Sequence, residues 1–157
     1  MAQDDMKTGS PEIGLGVLLR RANRSFAAVI SANLARHGIT HSQFHHLRRL
    51  WEQDGLSSSA LSDLVEVKKA TSTKILDALE TQGLIRRERS ATDRRKVHVF
   101  LTEKARALEP VLSECARDAN RQAASRLSGQ ELVELYRLLG LAVEGLGAVV
   151  PGEEEDE

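Results

Sequence analysis

The sequence predicts a mainly α-helical protein that carries one small β-hairpin. Apolar residues recur at helical spacing in several segments, whereas residues 97–101 alternate as a half-buried strand does, and only 3% of the chain is aromatic. A length of 157 residues favours a single domain. No apolar run approaches the roughly 18 residues of a membrane span, and the N-terminus shows no signal-peptide pattern. We therefore expect a cytoplasmic protein with no membrane partner.

Two helices are predicted at the N-terminal end of the chain. Ser10 as N-cap and Pro11 as first helical residue predict a long helix over residues 10–37, ended by Gly38. A second helix is predicted over residues 41–52. Its inner face is expected to consist of Gln43, Phe44, Leu47, Leu50 and Trp51.

A short helix, a tight turn and a longer helix are predicted next. The short helix covers residues 58–65. Its inner side is expected to carry Leu61, Leu64 and Val65. The longer helix covers residues 69–82 and ends at Gly83. Its inner face is expected to carry Ser72, Ile75, Leu76 and Leu79. The outer face is small, hydroxylic and cationic, and a helix N-terminus suits phosphate, so the pair has the pattern of a DNA-reading helix-turn-helix.

A basic β-hairpin follows the second of these helices. Residues 84–89 can pair with the alternating strand at residues 97–101, which leaves a polar, cationic loop between them. Such a loop is a wing, and an arginine at its tip suits the negative potential of a minor groove. Asp93 is expected to hold the side chain of Arg95 by a bidentate pair.

The charge of the chain is unevenly distributed. The formal net charge is −1, yet residues 68–96 hold nine basic against four acidic side chains, and residues 153–157 are all acidic. Local rather than total charge decides whether a surface attracts nucleic acid. For the arginines at 86, 87 and 89, a solvated face and a DNA contact are equally compatible with the sequence.

The C-terminal third is predicted to be helical. Apolar residues between 101 and 122 repeat at steps of four and three, which is the seam of helix-on-helix packing. Ser128 and Glu131 form a capping box that starts a last helix reaching Val150. Residues 151–157 are expected to be a disordered acidic tail. Apolar helices at both ends of the chain predict a two-fold dimer, which a reader of two-fold DNA also needs.

Three stretches together resemble the MarR (multiple antibiotic resistance regulator) family of winged helix-turn-helix transcription factors. They are ALSDL around Leu61, VKKATSTKILDALETQGLI, and Asp93-x-Arg95 running into the sequence LTEK at residues 101–104. Two positions depart from the family pattern: Ala105 stands where the family usually has Gly, and Lys69-Ala70 replaces the commoner Lys-Ser.

The resemblance implies one MarR-type domain over residues 1–157. A winged helix-turn-helix lobe at 56–102 would lie between dimerisation helices at 10–37 and 103–150. The expected DNA contacts are Lys68, Lys69, Ala70, Thr71, Ser72, Thr73, Lys74, Asp93, Arg94, Arg95 and Lys96. The family also places an effector pocket between the first two helices and the reading lobe. Its candidate residues here are Arg20, Arg24, Phe44, His46 and Arg48. For His46, a core histidine with one backbone hydrogen bond is the alternative.

Other sensing chemistries have weaker support. His41 and His45 lie one helical turn apart, a spacing that zinc can use, but His37 lies beyond the Gly38 break and no further ligand joins them. Cys115, the single cysteine, falls on the helical seam, which favours a buried structural thiol over a redox sensor. We expect no metal and no cofactor.

The sequence thus predicts a nucleoid-associated homodimeric regulator, most simply a repressor released from a pseudo-palindromic operator by a small aromatic or anionic molecule. The alternatives are a redox- or metal-sensing regulator of the same fold, and a dimeric helical module whose basic hairpin binds an acidic protein. An enzyme is not expected, because no Gly-rich phosphate loop follows a strand and no Ser or Cys has a motif-defined base.

Overall fold

The computed structural model describes residues 13–93 and 95–147, and in these residues the predicted helical fold with one hairpin is confirmed. The elements in chain order are α1 (Leu15–Ala35), α2 (His41–Glu52), α3 (Ser58–Leu64), α4 (Lys69–Thr81), β1 (Ile85–Arg89), β2 (Val97–Leu101), α5 (Glu103–Ala124) and α6 (Gly129–Leu146). The two strands are antiparallel, with Ile85 opposite Leu101 and Arg89 opposite Val97. No helix in this described part is long and apolar enough to cross a membrane.

The helix ends follow local capping chemistry, with one correction. α1 begins at Leu15 after the extended Gly14, later than predicted, and the predicted cap at Ser10 and Pro11 lies outside the described part of the chain. The Thr40 capping box at the start of α2 is complete, since Thr40 Oγ1 accepts from the Gln43 N–H at 3.2 Å.

The predicted start of the last helix is confirmed, whereas its observed end comes earlier than predicted. Ser128 and Glu131 form the predicted capping box, with the Ser128 N–H donating to Glu131 Oε2 at 2.8 Å. α6 ends at Leu146, before Gly147 with a φ of 66°, and residues 148–150 of the predicted helix lie outside the described part of the chain. The acidic tail predicted to be disordered lies outside the described residues.

The chain divides into two compact units, residues 1–119 and 120–157. The described part of the first unit has one apolar core, to which every element from α1 to α5 contributes. Its completely buried side chains include Leu34 of α1, Leu47 and Leu50 of α2, Leu61 of α3, Leu79 of α4, Val99 of β2 and Leu112 of α5. The inner face predicted for α4 is confirmed, because Ser72, Leu76 and Leu79 are buried and Ile75 is half-buried.

The short helix α3 packs differently from the prediction. Leu61 is buried, but Leu64 is 45% exposed and the small Ser62 is buried in its place. Leu64 lies about 200° around the helix from Ser62 and therefore faces away from it. Ser62 meets its hydrogen-bonding need locally, donating through Oγ to the Ser59 carbonyl at 2.7 Å.

The second unit contains α6, whose side chains are almost all exposed. Val133, Tyr136, Val143 and Leu146 are each between 65 and 70% exposed. No residue of the helix is buried within the chain. None of the residues that the structure describes covers the apolar side chains of this helix.

Candidate nucleic-acid interface

The α3–turn–α4 segment presents the N-terminus of α4 to solvent. Ser57 caps α3 by accepting from the Ala60 N–H at 3.2 Å, and the turn passes through Glu66 at a φ of 55°. The Val67 N–H closes the turn on the Ser62 carbonyl at 3.2 Å. Lys68, the N-cap of α4, makes no side-chain capping bond. The first turn of α4 therefore presents its N–H groups and the positive end of the helix dipole without a protein anion.

The outer face of α4 is exposed and cationic. The predicted contact residues Lys68, Lys69, Ala70, Thr71, Thr73 and Lys74 are all exposed. Among the described residues, no ion pair uses Lys68, Lys69 or Lys74, and the hydroxyl of Thr73 donates to the Lys69 carbonyl at 2.9 Å. These ammonium groups are free to meet phosphate or base edges.

Ser72 is the exception on this helix and corrects the predicted set of DNA contacts. Only 2% of Ser72 is exposed, and its Oγ lies 3.0 Å from Nε2 of His46. Its position on the inner face, together with Leu76 and Leu79, directs the hydroxyl into the protein. Ser72 is therefore a contact between helices rather than a group facing DNA.

The wing, residues 90–96, is held by its own hydrogen bonds. Ser90 Oγ accepts from the Thr92 and Asp93 N–H groups at 3.3 and 3.2 Å, and the Lys96 N–H donates to the Asp93 carbonyl at 2.9 Å. Asp93 Oδ1 accepts from the backbone N–H of Arg95 at 3.0 Å. The predicted bidentate pair with the Arg95 side chain is therefore corrected: the aspartate shapes the loop backbone, as in an Asx turn, and leaves the guanidinium exposed. Arg94 lies outside the described residues.

The arginines at the base of the wing differ in the groups that they contact. Arg87 joins β1 to α4 through Glu80 at 2.6 Å and Asp77 at 2.7 Å, and the hydrogen bond from Arg87 to Glu80 lowers the pKa of Glu80. Arg86 lies over the Phe100 ring at 4.7 Å and pairs with Glu88. Both arginines are thus engaged within the protein, while Arg89 is exposed.

The loop between α2 and α3 fastens strand β2 to the rest of the first unit. The Gly55 N–H donates to the Val99 carbonyl at 3.1 Å, and the Val99 N–H donates to the Leu56 carbonyl at 2.9 Å. Asp54 accepts from the Leu101 N–H at 2.8 Å and from Arg106 at 2.6 Å. Sequence reasoning missed Asp54, although the Asp-Gly pair at 54–55 is a turn signal that could have drawn attention to it.

The predicted effector residues are not gathered into one cavity. Phe44 and His46 are buried in the core, whereas Arg48 is exposed and pairs with Glu52 at 3.4 Å. Arg20 and Arg24 are exposed on α1, where they line an open depression together with Val17, Arg21 and Ser25. His46 has the surroundings of a core histidine, which is the alternative to an effector role. Its Nδ1 lies 2.8 Å from the Ser42 carbonyl.

The residues of the other sensing hypotheses have ordinary surroundings. His41 and His45 approach with their Nε2 atoms 3.0 Å apart, and within the described ranges no third His, Cys, Asp or Glu joins them as a ligand group. Cys115 is partly buried, and burial raises the pKa of its thiol, which disfavours the reactive thiolate.

Comparison with known proteins gives consistent matches. Residues 39–97 match the model of the MarR family. The chain is 36% identical to the HTH-type transcriptional regulator TtmR of Methylorubrum extorquens over 56% of this chain and 45% of that protein. It is 31% identical to the HTH-type transcriptional regulator MgrA of Staphylococcus aureus, over 79% of this chain and 81% of that protein.

A solved structure of Bordetella bronchiseptica BpsR, whose DNA binding is regulated by 6-hydroxynicotinic acid, is similar with a TM-score of 0.73 and 27% identity. The match covers 82% of this chain and 97% of that chain. The similarity therefore extends beyond the helix-turn-helix to the flanking helices.

Proposed function

Because the chain belongs to the MarR family of DNA-binding transcriptional regulators, we propose that it is a homodimeric repressor released from its operator by a small molecule. The chain is a regulator rather than an enzyme, as its relatives are. Beyond family membership, we propose four properties of this chain: repression, a homodimeric assembly, the residues that contact DNA, and a small-molecule effector.

The observation that carries the proposal is the exposed cationic face of α4 beside an exposed wing. α4 enters a major groove, where Lys68, Lys69 and Lys74 meet phosphate or base edges and Thr71 and Thr73 add hydroxyls. The wing lies against the neighbouring minor groove, with Arg95 at its entrance and Lys96 on the backbone. Asp93 contributes by holding the backbone of Arg95.

Exposed apolar side chains support the homodimer. In α1, Leu15, Val17 and Leu18 are 56, 39 and 43% exposed, and α6 is apolar on several sides. A second copy covers these surfaces and brings a second α4 into place. Two reading helices one DNA turn apart fit half-sites separated by about 10 bp.

The effector is proposed to be a small aromatic or anionic molecule that acts on the protein in the cytoplasm. The regulation of BpsR by 6-hydroxynicotinic acid supports this class of molecule. Of the predicted pocket residues, Arg20 and Arg24 remain exposed and able to hold a carboxylate. Release follows when the molecule binds the non-operator state more tightly than the operator-bound state.

DNA binding is tested with Arg95→Ala on a labelled DNA fragment from upstream of the gene. Operator affinity should fall more than tenfold, and the salt slope should fall by about one, because one cation leaves the DNA. Arg137→Ala removes the same charge from α6, where Arg137 pairs with Glu134 at 2.6 Å, and should bind as the parent does. If the Arg95 variant binds the operator as tightly as the parent protein at two salt concentrations, the wing contact is ruled out.

The alternative function is a helical module whose basic hairpin binds an acidic protein. It would be favoured if duplex DNA failed to displace an acidic protein bound to the chain.

The effector is tested by adding 6-hydroxynicotinic acid or benzoate to the complex with operator DNA. At least one of the two acids should release DNA at a concentration where the uncharged benzyl alcohol does not. Arg24→Gln should raise the concentration needed for half-release without changing operator affinity. Release by the alcohol at the same concentration, or an unchanged half-release concentration in the variant, would contradict an anionic effector held by α1.

A further inference from the structure

A buried hydrogen bond joins α2 to the inner face of α4, behind the candidate interface. Nε2 of His46 lies 3.0 Å from Oγ of Ser72, and the two residues are only 1 and 2% exposed. They are 26 positions apart in the sequence, so the bond spans two packed helices rather than one local turn. A polar pair this deeply buried is costly to break, because Nε2 of His46 and the hydroxyl of Ser72 would each lose this partner without gaining water.

The surroundings fix the roles of both side chains. The Ser42 carbonyl can only accept, so Nδ1 of His46, 2.8 Å away, carries the imidazole proton. The unprotonated Nε2 then accepts, and the Ser72 hydroxyl donates. Burial lowers the pKa of His46, which keeps the ring in this neutral form. The ring is thus anchored at one end to α2 and holds α4 with the other.

The bond acts on the part of α4 that faces DNA. Ser72 is the fourth residue of the helix, so it belongs to the same turn as the exposed Lys69 and is adjacent to Thr73. Fixing Ser72 against α2 fixes the rotation of this turn about the helix axis. A second side-chain hydrogen bond from α2 to this region is longer: Gln43 Nε2 donates at 3.3 Å to Oε1 of Gln82, which lies beyond the last residue of α4.

We propose that His46 is a positioning residue for DNA recognition, which holds Ser72 through its neutral Nε2 and thereby sets the orientation of the first turn of α4. This proposal rests on the proposed function in one respect, namely that α4 reads the DNA. It differs from the effector role predicted from the sequence, because both ring nitrogens are already bonded within the protein. A displacement of α2 consequently reaches the DNA-facing turn through this bond.

Four substitutions separate the two ends of the imidazole. His46→Gln places an amide oxygen near the position of Nε2 and keeps the acceptor for Ser72, whereas His46→Asn keeps only a donor near Ser42. Ser72→Ala removes the hydroxyl, and Ser72→Thr retains it. Each protein is assayed by anisotropy with the operator fragment and, separately, with a scrambled duplex of the same length and composition.

The expected result is a loss of specificity in the variants that lack the bond. His46→Asn and Ser72→Ala should each weaken operator binding about fivefold to tenfold, as expected for one buried hydrogen bond. Binding to the scrambled duplex should stay within about twofold, since phosphate contacts supply it. His46→Gln and Ser72→Thr should retain most of the affinity, and the double variant His46→Asn/Ser72→Ala should be no weaker than either single variant. A purely structural defect would lower both affinities together.

Lys69→Ala serves as the control for the reading helix itself. If it weakens operator binding while folded His46→Asn and Ser72→Ala bind as the parent does, the positioning role is overturned and the reader assignment stands. If Lys69→Ala leaves operator binding unchanged, the reader assignment and the positioning role both fall. The proposal would also be overturned if the losses of operator affinity of the two single variants multiplied in the double variant. Ser72→Ala removes only one oxygen atom, so the test remains valid even if His46→Asn does not fold.

Discussion

At the scale of single residues, Gly55 shows how the backbone places the wing. Its φ is +77°, and an added Cβ would lie 2.9 Å from Cε1 of Phe100. Its N–H donates to the Val99 carbonyl, and its carbonyl accepts from Nδ1 of His98 at 2.9 Å. Glycine alone combines this left-handed conformation with so close an approach of the aromatic ring.

Gly55→Ala should therefore destabilise the protein by roughly 2 kcal/mol, since both backbone strain and the displaced Phe100 ring contribute. Gly38→Ala is the matched control, because Gly38 has a similar φ of +70° but no atom within 4 Å of the added Cβ. It should cost only about 1 kcal/mol. Urea unfolding of both variants measures the difference, and equal losses would show that contact with Phe100 contributes nothing.

At the scale of elements, α4 and β1 are joined by Arg87 and two carboxylates. The side chain of Arg87 is 27% exposed and that of Glu80 is 39% exposed, so water weakens the pairing only in part. The backbone N–H of Arg87 also donates to Glu80 Oε1 at 3.1 Å. α4 and β1 are thus fastened to each other by contacts within the protein.

Arg87→Met should lower the free energy of unfolding by about 1 kcal/mol, because the charge is lost while the apolar stem is kept. Arg117→Met, which removes an exposed pair with Glu114, should cost less than about 0.5 kcal/mol. Thermal unfolding of the two variants provides the comparison. A loss for Arg87→Met as small as for Arg117→Met would show that this junction adds nothing to stability.

The histidines of α2 make the stability of the element pH-dependent. Burial lowers the pKa values of His41, His45 and His46 below their ordinary value of about 6.5. The unfolded chain therefore binds more protons than the folded chain between the lowered and the ordinary pKa values. The three neutral histidines therefore do not oppose folding above pH 6.5. As the pH falls below 6.5, the free energy of unfolding decreases, because protonation favours the unfolded chain.

The free energy of unfolding should accordingly decrease between pH 7 and pH 5.5, and His46→Gln should reduce this decrease. The depressed carboxyl pKa values of Glu52 and Glu80 act at lower pH, since their ordinary value is near 4.5. Urea unfolding at the two pH values measures the change. Equal stability at both pH values would contradict the proton linkage of these histidines.

At the scale of the whole molecule, the described residues leave many large apolar side chains exposed. α6 exposes apolar side chains along its length, including Tyr136 at 65% and Val143 at 67%. Exposed apolar patches of this extent mark interaction surfaces, and a second copy of the chain is the partner that we propose for this one. The proposed dimer supplies the covering layer.

Light scattering at micromolar concentration should therefore give the mass of two chains of 17.3 kDa. Tyr136→Glu combined with Val143→Glu should shift the protein to monomers and weaken operator binding by more than tenfold, since one reader then binds alone. Glu144→Lys changes the charge of the same helix at an exposed polar position and should remain dimeric. A monomeric parent protein that still bound a two-half-site operator tightly would contradict the proposed assembly.

The sequence by itself determined the elements, their order and the outer face of α4, because helical periodicity, capping boxes and strand alternation act over a few neighbouring residues. Only the tertiary structure decided that Ser72 meets His46, that Arg87 joins α4 and that Asp54 holds β2. The tertiary structure also decided that Ser62, and not Leu64, lies on the inner side of α3. Periodicity groups residues on one face of a helix but does not specify which face the core covers. These contacts join residues from different elements, and their partners become neighbours only when the core packs.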